Sequence, residues 1–388
     1  MGGCFVGELS AFVLSGIDEA FLSEVYIEKE HAFTTAMLAK QCFLSIEIIQ
    51  DEIDALCENG FLVFEGDMYS VTEEGKAFLE NEGYKTAVAT AAQRQIILTE
   101  FCKAMQMPAE KVDCLTSMSI GMTNRSFIIK AGNGQYMFRT PGEGTEQLVD
   151  RYREYANYIA LEGKGIADVV VYHNPTTGIK VTEYIQACHT ANPKKIEDIM
   201  LCMKALKAFH NTNITVPHTF SFEEHIYYYE MLCIQQNVTF AKTYAKEKAE
   251  AQKLLALLKE TEKQTCFCHI DSVPGNFLIS GNKNVTLIDW EYAGMCDPIA
   301  DTAMWCLSAA YEKDECDKLL YFYLERPPTK NEWIRFYSYL SLGGFLWGLW
   351  AYYKASFGQT YGNYIARMSA CCLQYSALVQ EIIDDENT

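Results

Sequence analysis

The segment "CFCHIDSVPGNFLIS", residues 266–280, places polar side chains between hydrophobic flanks. Buried polar groups without partners are costly, so His269, Asp271 and Asn276 need a structural or chemical reason to be there. A carboxylate can accept a proton from a hydroxyl group, and carboxylate and amide oxygens can bind a hard metal ion. The segment therefore indicates a loop that carries proton-transfer or metal-binding chemistry.

A further carboxylate follows in the next hydrophobic strand, "VTLIDWEYAG", which ends at Asp289. In protein kinases an Asp and an Asn five residues apart form the catalytic loop, and a later Asp binds Mg²⁺, which offsets charge on the transferred phosphoryl group. Asp271, Asn276 and Asp289 have this order and spacing. We expect His269 to hold the loop backbone in shape rather than to transfer protons.

Upstream, "LTSMSIGMTNRSFIIKAGNGQYMFRT" alternates apolar and polar residues and predicts antiparallel strands, with "AGNGQ" as a hairpin turn. The turn in "SIGMTNRSF" combines Gly121 with the polar side chains of Ser119, Thr123 and Asn124. Small residues and hydroxyls at such a turn would let backbone N–H groups approach a phosphate.

Arg139 lies in the apolar strand "YMFRTPG", where an unpaired guanidinium would be expensive. The next predicted helix, "TEQLVDRYREYANYIALEGKG", offers Glu154 as the partner, with Glu146 and Asp150 as alternatives. A strand cation paired with a helix glutamate is how protein kinases hold nucleotide phosphates.

The segments "HIDSVPGNFLI", "LIDWEYAG", "MFRTPGEGT" with "DRYREY", and "FLWGLWAYY" resemble those of choline/ethanolamine kinases. The resemblance covers roughly residues 114–370 and is greatest to bacterial choline kinases that supply phosphocholine for surface glycans. It implies the α+β, two-lobed fold shared with protein kinases and aminoglycoside phosphotransferases. That fold has a small β-rich N-lobe and a large helical C-lobe.

The resemblance also implies ATP and Mg²⁺ as cofactors. In this family the lobes meet at the segment that corresponds to "KVTEYI", where the backbone from Glu183 to Ile185 should hydrogen-bond the adenine. The other implied roles are contact with ATP phosphates for Arg139, pairing with that arginine for Glu154, the catalytic base for Asp271, and Mg²⁺ ligation for Asn276 and Asp289.

Substrate choice within the family depends on the aromatic C-terminal half. The quaternary ammonium of choline donates no conventional hydrogen bond, so a site must bind it through π faces and negative potential. Trp347 and Trp350, three residues apart on one helical face, match the pair that lines the choline pocket in this family. Tyr364 aligns with a further tyrosine of the family, and Trp305 and Tyr311 are looser candidates.

Three other polar residues have smaller expected roles. Glu291, two residues after Asp289, would assist a second metal ion or the choline charge, or would cap the loop. Asp301 opens a predicted helix and is expected to fix the catalytic-loop backbone, whereas His210 is expected to pack against the catalytic lobe.

The predicted function is therefore choline kinase, with two alternatives left open. The acceptor could instead be ethanolamine, an aminoglycoside or another small alcohol; the aromatic pair argues against the first two. The more distant alternative is a sensor in which a degenerate kinase fold binds choline or nucleotide and a winged helix reads DNA. The filled catalytic positions weaken that hypothesis.

Residues 15–85 have the pattern of a winged helix-turn-helix domain: two helices, two short strands around Gly66 and a closing helix. Residues 1–95 contain 5 basic and 17 acidic side chains, so phosphates would repel them. Dimerisation or docking is the preferred role, and nucleic-acid binding is not expected. The predicted domains are 1–90 (winged helix), 91–113 (helical connector), 114–185 (N-lobe) and 186–388 (C-lobe).

Composition is consistent with a globular, cytoplasmic enzyme. The net charge of -19 suits a small cationic substrate better than nucleic acid or an anionic membrane. Fifteen cysteines without a C-x-x-C pair indicate neither a disulfide framework nor a zinc site. Residues 336–353 carry no charge over 18 positions, but Ser, Tyr and Gly are frequent there, so a buried bundle helix is predicted rather than a membrane span.

Overall fold

The computed structural model describes residues 46–65, 68–72, 74–75, 84–118, 124–142 and 145–385, which divide into two compact units. The first unit comprises the chain up to Thr140 together with Val170–His173 and Ile179–Tyr184. The second comprises Pro141–Val169, Asn174–Gly178 and the chain from Ile185 onwards.

Among the described residues of the first unit, the first elements are helix α1 (Ile46–Glu58) and an antiparallel pair of strands, β1 (Leu62–Glu65) and β2 (Met68–Val71). The predicted second helix and two short strands around Gly66 agree with these elements. The other parts of the predicted winged helix lie outside the described residues, so that domain stays a prediction.

A five-stranded sheet in the order β3-β4-β5-β7-β6 forms most of the first unit. The side chains of Phe101, Phe127 and Phe138 pack together in its core, with ring centroids 6.0–6.5 Å from that of Phe138. Phe101 belongs to the long helix α2, so the C-terminal half of that helix is part of this core. The elements are α2 (Tyr84–Met105), β3 (Val112–Met118), β4 (Asn124–Ala131), β5 (Gly134–Pro141), β6 (Val170–His173) and β7 (Lys180–Glu183).

The second unit is mainly helical and contains two small antiparallel sheets, in the orders β11-β10-β8 and β12-β9. The strands are β8 (Cys188–Thr190), β9 (Cys266–Cys268), β10 (Phe277–Ser280), β11 (Val285–Leu287) and β12 (Gly294–Cys296). The helices are α3 (Arg151–Leu161), α4 (Ile196–His210), α5 (Phe222–Gln235), α6 (Tyr244–Glu260), α7 (Ile299–Ala309), α8 (Lys313–Leu324), α9 (Lys330–Ala355) and α10 (Tyr364–Asp384).

Helix α9 is the central helix of the second unit and packs against α5, α7 and α10. Two adjacent glycines permit this close packing. A Cβ atom on Gly343 would lie 2.4 Å from Cε of Met304 in α7, and one on Gly344 would lie 2.7 Å from the carbonyl oxygen of Met368 in α10. Residues 335–346 are all buried, which confirms the prediction of a buried bundle helix. Within the described part of the chain, no helix has the length and apolar character needed to cross a membrane.

The N-terminus of α9 has a capping box. Thr329 Oγ1 accepts a hydrogen bond from Glu332 N, and the Glu332 carboxylate accepts one from Thr329 N. Arg326 donates two further hydrogen bonds of 2.8 and 2.7 Å to the same carboxylate. The Thr329 hydroxyl also donates to the Glu332 carboxylate. Arg326, the Thr329 N–H and this hydroxyl together lower the pKa of Glu332 from 4.5 to about 2.

We expect Glu332→Gln to destabilise the protein at neutral pH and to matter less in acid. Because the folded-state pKa is depressed, the stabilisation is complete above about pH 4.5 and is lost as the pH falls towards 2. The measurement is the free energy of unfolding by urea at several pH values. Glu381→Gln, at an exposed position on α10, is the control. A wild-type to Glu332→Gln difference that stays constant down to pH 3 would contradict this assignment.

Candidate active site

The loop between β9 and β10 is held by one carboxylate from the first turn of α7. Asp301 Oδ2 accepts a hydrogen bond from His269 N at 2.8 Å, and Asp301 Oδ1 accepts one from Ile270 N at 2.6 Å. The Ser272 hydroxyl donates to the Asp301 carbonyl oxygen. Asp301 is fully buried. These bonds confirm the expectation that Asp301 fixes the loop backbone.

The hydrogen bonds to Asp301 are needed because the loop backbone is strained. Ile270 has φ of +67°, in the left-handed region that β-branched residues rarely adopt. Such a conformation costs of order 1–3 kcal/mol and persists only when surrounding contacts enforce it. The two hydrogen bonds to Asp301 enforce it directly before Asp271.

Two further hydrogen bonds join the loop to the chain before Asp289. His269 Nε2 donates to the carbonyl oxygen of Ile288 at 2.9 Å, and Ile288 N donates to the carbonyl oxygen of Asn276 at 3.0 Å. Burial lowers the pKa of His269, so the imidazole is the neutral form in which Nε2 carries a proton. His269 therefore has the predicted structural role.

Asn276 lies close to Asp271. Asn276 Nδ2 donates to the Asp271 carbonyl oxygen at 2.8 Å and to Asp271 Oδ2 at 3.0 Å. This contact fixes the orientation of the carboxylate. It also directs the amide oxygen of Asn276 away from Asp271, where that oxygen is suited to bind a cation.

A second group of acidic side chains lies beside this loop. Ligand oxygens of Glu154, Asp289 and Glu291 are all within 4.8 Å of one another. Glu154 comes from α3, which Asn157 fixes in place by donating hydrogen bonds of 2.9 Å to the carbonyl oxygens of Trp290 and Ala293. Carboxylate oxygens are the ligands that Mg²⁺ prefers, so this group could hold a divalent cation.

A cation that offsets the charge of this acidic group was not predicted from the sequence. Arg151 Nη1 lies 2.9 Å from Glu154 Oε2 and 3.4 Å from Glu291 Oε2. Arg151 lies three residues before Glu154 on a helix, a spacing at which side chains can contact each other, so the sequence could have indicated this pair. Arg139, the predicted partner of Glu154, lies on β5 in the first unit, opposite Lys180 of β7. The Arg139–Glu154 pair stays a prediction.

Several aromatic side chains of the second unit, on and around α9, contact one another. The Trp347 ring meets Tyr292 edge-on at 5.4 Å between centroids, and Trp350 meets Tyr361 at 5.6 Å. Tyr361 is in turn 6.4 Å from Tyr364. Tyr292 and Tyr361 were not predicted, although Tyr292 directly follows Glu291 in the sequence.

The negative charge of Asp271 contributes to the pKa values of two tyrosine hydroxyls. Burial raises the pKa of Tyr292 well above its ordinary value, and the charges of Glu291 and Asp271 add to the increase. Burial also raises the pKa of Tyr364, where the charge of Asp271 acts in the same direction. Asp271 therefore lies close enough to both phenols to interact with them electrostatically.

Two of the looser substrate candidates have packing roles. Trp305 is fully buried and meets Phe277 edge-on at 5.0 Å between ring centroids. The Tyr311 hydroxyl donates to the carbonyl oxygen of Pro193. Contact of either residue with a substrate stays a prediction.

The predicted nucleotide-binding residues are only partly within the described chain. Ser119 and Thr123 lie outside it, and Asn124 begins β4. Glu183 ends β7, and the carbonyl oxygen of Ile185 accepts a hydrogen bond from the Cys188 thiol at 3.2 Å. Contact of these residues with ATP stays a prediction.

A five-stranded β unit followed by a helical unit that presents an Asp–Asn loop and nearby carboxylates is typical of protein-kinase-like phosphotransferases. Comparison with known proteins agrees with this class. The family model for choline/ethanolamine kinase matches residues 115–344, more than half of the chain, and the chain belongs to this family. It is an ATP-dependent enzyme of that family, with a β-rich N-lobe and a helical C-lobe.

Its relatives include bacterial proteins. Protein LicA of Haemophilus influenzae is 26% identical over 285 residues, which are 68% of this chain and 82% of that protein. The crystal structure of choline kinase LicA from Streptococcus pneumoniae has a TM-score of 0.65 and 27% identity, covering 74% of this chain and 99% of that one. A structure of LicA in complex with AMP has a TM-score of 0.63, with 27% identity over 74% of this chain and 98% of that one.

We expect Asp301→Asn to lower kcat on the order of 10²-fold with choline or ethanolamine as acceptor. The amide would turn an N–H donor towards the backbone N–H of His269 or Ile270, which would displace Asp271. Steady-state kinetics and a thermal melt would check this, with exposed Asp314→Asn as the control. A folded variant whose kcat is within about threefold of wild type, less than 1 kcal/mol in activation energy, would be the contrary result.

Proposed function

We propose that this enzyme is a choline kinase, which transfers the γ-phosphoryl group of ATP to the hydroxyl of choline and releases phosphocholine and ADP. One observation carries the proposal: the Trp347 ring meets Tyr292, which directly follows Glu291 in the sequence, edge-on at 5.4 Å between centroids. Besides burial, the charge of Asp271 also helps to raise the pKa of both Tyr292 and Tyr364. An anionic proton acceptor therefore lies beside a group of aromatic rings. That combination fits a substrate with a hydroxyl at one end and a quaternary ammonium at the other.

Asp271 acts as the base in this proposal. The choline oxygen forms a bond to the γ-phosphorus, the bond from that phosphorus to the leaving oxygen of ADP breaks, and the hydroxyl proton passes to Asp271. The hydrogen bond from Asn276 Nδ2 orients the carboxylate before substrate binds. Positioning supplies much of the rate enhancement in such reactions, because the reactants are held in an attack geometry.

Mg²⁺ is the proposed metal cofactor, and the residues present fit it. Asp289 and the Asn276 amide oxygen are hard ligands, and Glu154 and Glu291 place further carboxylate oxygens within 4.8 Å of Asp289. Bound Mg²⁺ would offset the charge of the ATP phosphates. Arg151 offsets part of the negative charge of Glu154 and Glu291 when no metal ion is bound.

The proposal favours choline over ethanolamine because the rings of Trp347 and Tyr292 meet at the proposed substrate site. Ethanolamine would present three N–H donors and would need hydrogen-bond acceptors, whereas a quaternary ammonium is bound by ring faces. Each ring contact with a desolvated quaternary ammonium contributes about 0.5–2 kcal/mol. The sequence resembles bacterial choline kinases that supply phosphocholine for surface glycans, so we propose surface glycans as the destination of the phosphocholine.

The direct test compares acceptors and removes the base. We expect choline-dependent release of ADP with Mg²⁺, slower turnover with ethanolamine and none with kanamycin. Asp271→Asn should lower kcat by about 10²–10⁴, the usual contribution of a general base, while ATP still binds. Coupled ADP release and equilibrium nucleotide binding would be measured on both proteins. Nucleotide binding without turnover of any acceptor would refute the kinase proposal and favour the sensor hypothesis.

A second test addresses the aromatic site. We expect Trp347→Leu to raise KM for choline by about 2- to 30-fold, the loss of one cation–π contact, and to raise KM for ethanolamine less. Trp333→Leu is a matched control. Trp333 lies on the same helix about 21 Å away, is also half-buried, and also meets a tyrosine ring at 5.4 Å.

Unchanged choline kinetics in Trp347→Leu, or equal effects of the two substitutions, would remove Trp347 from the substrate site. The catalytic role of Asp271 would be unaffected by that result.

A further inference from the structure

Two cysteines on β9, which precedes the catalytic loop, lie close to a histidine at the end of α4. Phosphoryl transfer does not use these three side chains, which are all common metal ligands. Cys266 and Cys268 are two residues apart on β9, so their side chains share one face of the strand. Their sulfur atoms are 3.7 Å apart. A ring nitrogen of His210, at the end of α4, lies within 4.8 Å of both.

The hydrogen bonds of His210 define which nitrogen is available to a metal. His210 Nε2 is 2.9 Å from Asp301 Oδ2, and a carboxylate only accepts, so Nε2 carries the proton. His210 Nδ1 is then the unprotonated nitrogen and accepts from the Tyr323 hydroxyl at 2.7 Å. A metal ion at Nδ1 would replace this hydrogen bond, because the lone pair that now accepts the Tyr323 proton is the one that would bind the ion.

We propose that His210 Nδ1 and the Sγ atoms of Cys266 and Cys268 bind one zinc-like divalent cation. Two thiolates on a tetrahedral zinc ion, each about 2.3 Å from it, are about 3.8 Å apart. The two sulfurs already have this separation without rearrangement. The set of one imidazole and two thiolates suits zinc, and a water molecule or the Tyr323 oxygen can complete the tetrahedron.

The surroundings have two further features of metal sites. Asp301 holds His210 as the outer carboxylate of a carboxylate–histidine–metal arrangement, which fixes the tautomer and the ring orientation. Cys266 is half-exposed whereas His210 and Cys268 are buried, so an ion can enter from the Cys266 side.

A disulfide between these two cysteines is a poorer alternative. Residues two apart on an extended strand have Cα atoms about 6.6 Å apart, at the upper end of the range that a disulfide can span. Closing it would also distort β9, whose register with β12 pairs Cys266 with Cys296 and Cys268 with Gly294. A metal ion would satisfy both sulfurs with β9 unchanged.

The proposal connects metal binding to the catalytic loop through one residue. The Asp301 carboxylate that would support the ligand His210 also accepts the backbone N–H groups of His269 and Ile270. A bound ion would therefore stabilise the packing behind the loop. Its expected effect is a higher melting temperature, because a ligand that binds only the folded state stabilises it.

The test uses Co²⁺ as a spectroscopic replacement for zinc, with reduced, chelator-treated full-length protein. We expect one equivalent of Co²⁺ to produce thiolate-to-cobalt absorption, which carboxylate ligands cannot give, and Zn²⁺ to displace it. The Cys266→Ser/Cys268→Ser double variant should lose this absorption. Cys102→Ser, which removes a half-buried thiol from the first unit, should retain it.

A second measurement does not depend on the variants folding. One equivalent of Zn²⁺ should protect the Cys266–Cys268 peptide of the wild-type protein from thiol alkylation, as read by mass spectrometry, and should raise the melting temperature. Absence of the thiolate band in wild type would overturn the proposal. So would the same band in the double variant, or alkylation of this peptide at an unchanged rate.

Discussion

The site depends on a buried carboxylate that satisfies several donors at once. Asp301 accepts hydrogen bonds from two consecutive backbone N–H groups and from His210, and its own carbonyl oxygen accepts from Ser272. Charged hydrogen bonds of this kind each contribute about 1.5–3 kcal/mol. Together they are large enough to offset the strain at Ile270, and so they determine where Asp271 lies. The α7 helix is therefore as much a part of the site as the loop.

Residues with positive φ lie at or next to both acidic positions that the proposed reaction would use. Asp289 itself has φ of +70°, and Ile270, just before Asp271, has φ of +67°. Hydrogen bonds through Ile288 join the two strained segments, so neither can relax without displacing the other. This coupling explains a buried, neutral histidine at position 269: a protonated one would be costly to bury, and an apolar residue could not bridge to Ile288.

Features that depend on residues close together in the chain could be predicted from the sequence. The Asp271–Asn276 contact, the hairpin after β4 and the buried α9 helix all follow from patterns within one or two elements. Contacts across the fold were not accessible in this way. Arg151 reaches Glu291, and His210 reaches Cys266, only because tertiary packing brings distant segments together. The C-x-C spacing of the two thiols also falls outside the C-x-x-C pattern that identifies many zinc sites, so the sequence alone does not indicate a metal site there. The winged helix remains a pattern, since most of it lies outside the described residues.

In the proposed choline site, electrostatics near the aromatic rings would limit the size of the cation that can bind. Arg367 lies over Tyr364, with the guanidinium carbon 5.3 Å from the ring centroid, and it also donates to the Leu307 carbonyl oxygen. One face of this ring therefore already binds a cation of the protein itself. A substrate ammonium is left with the other faces and with the field of Asp271 and Glu291. A compact cation with its charge spread over methyl groups can use such faces without losing hydrogen bonds, whereas a larger polyamine would bring extra charges close to Arg367. In the proposed site, the positive charge of Arg367 would disfavour aminoglycoside-like substrates, even though the formal net charge of the protein is -19.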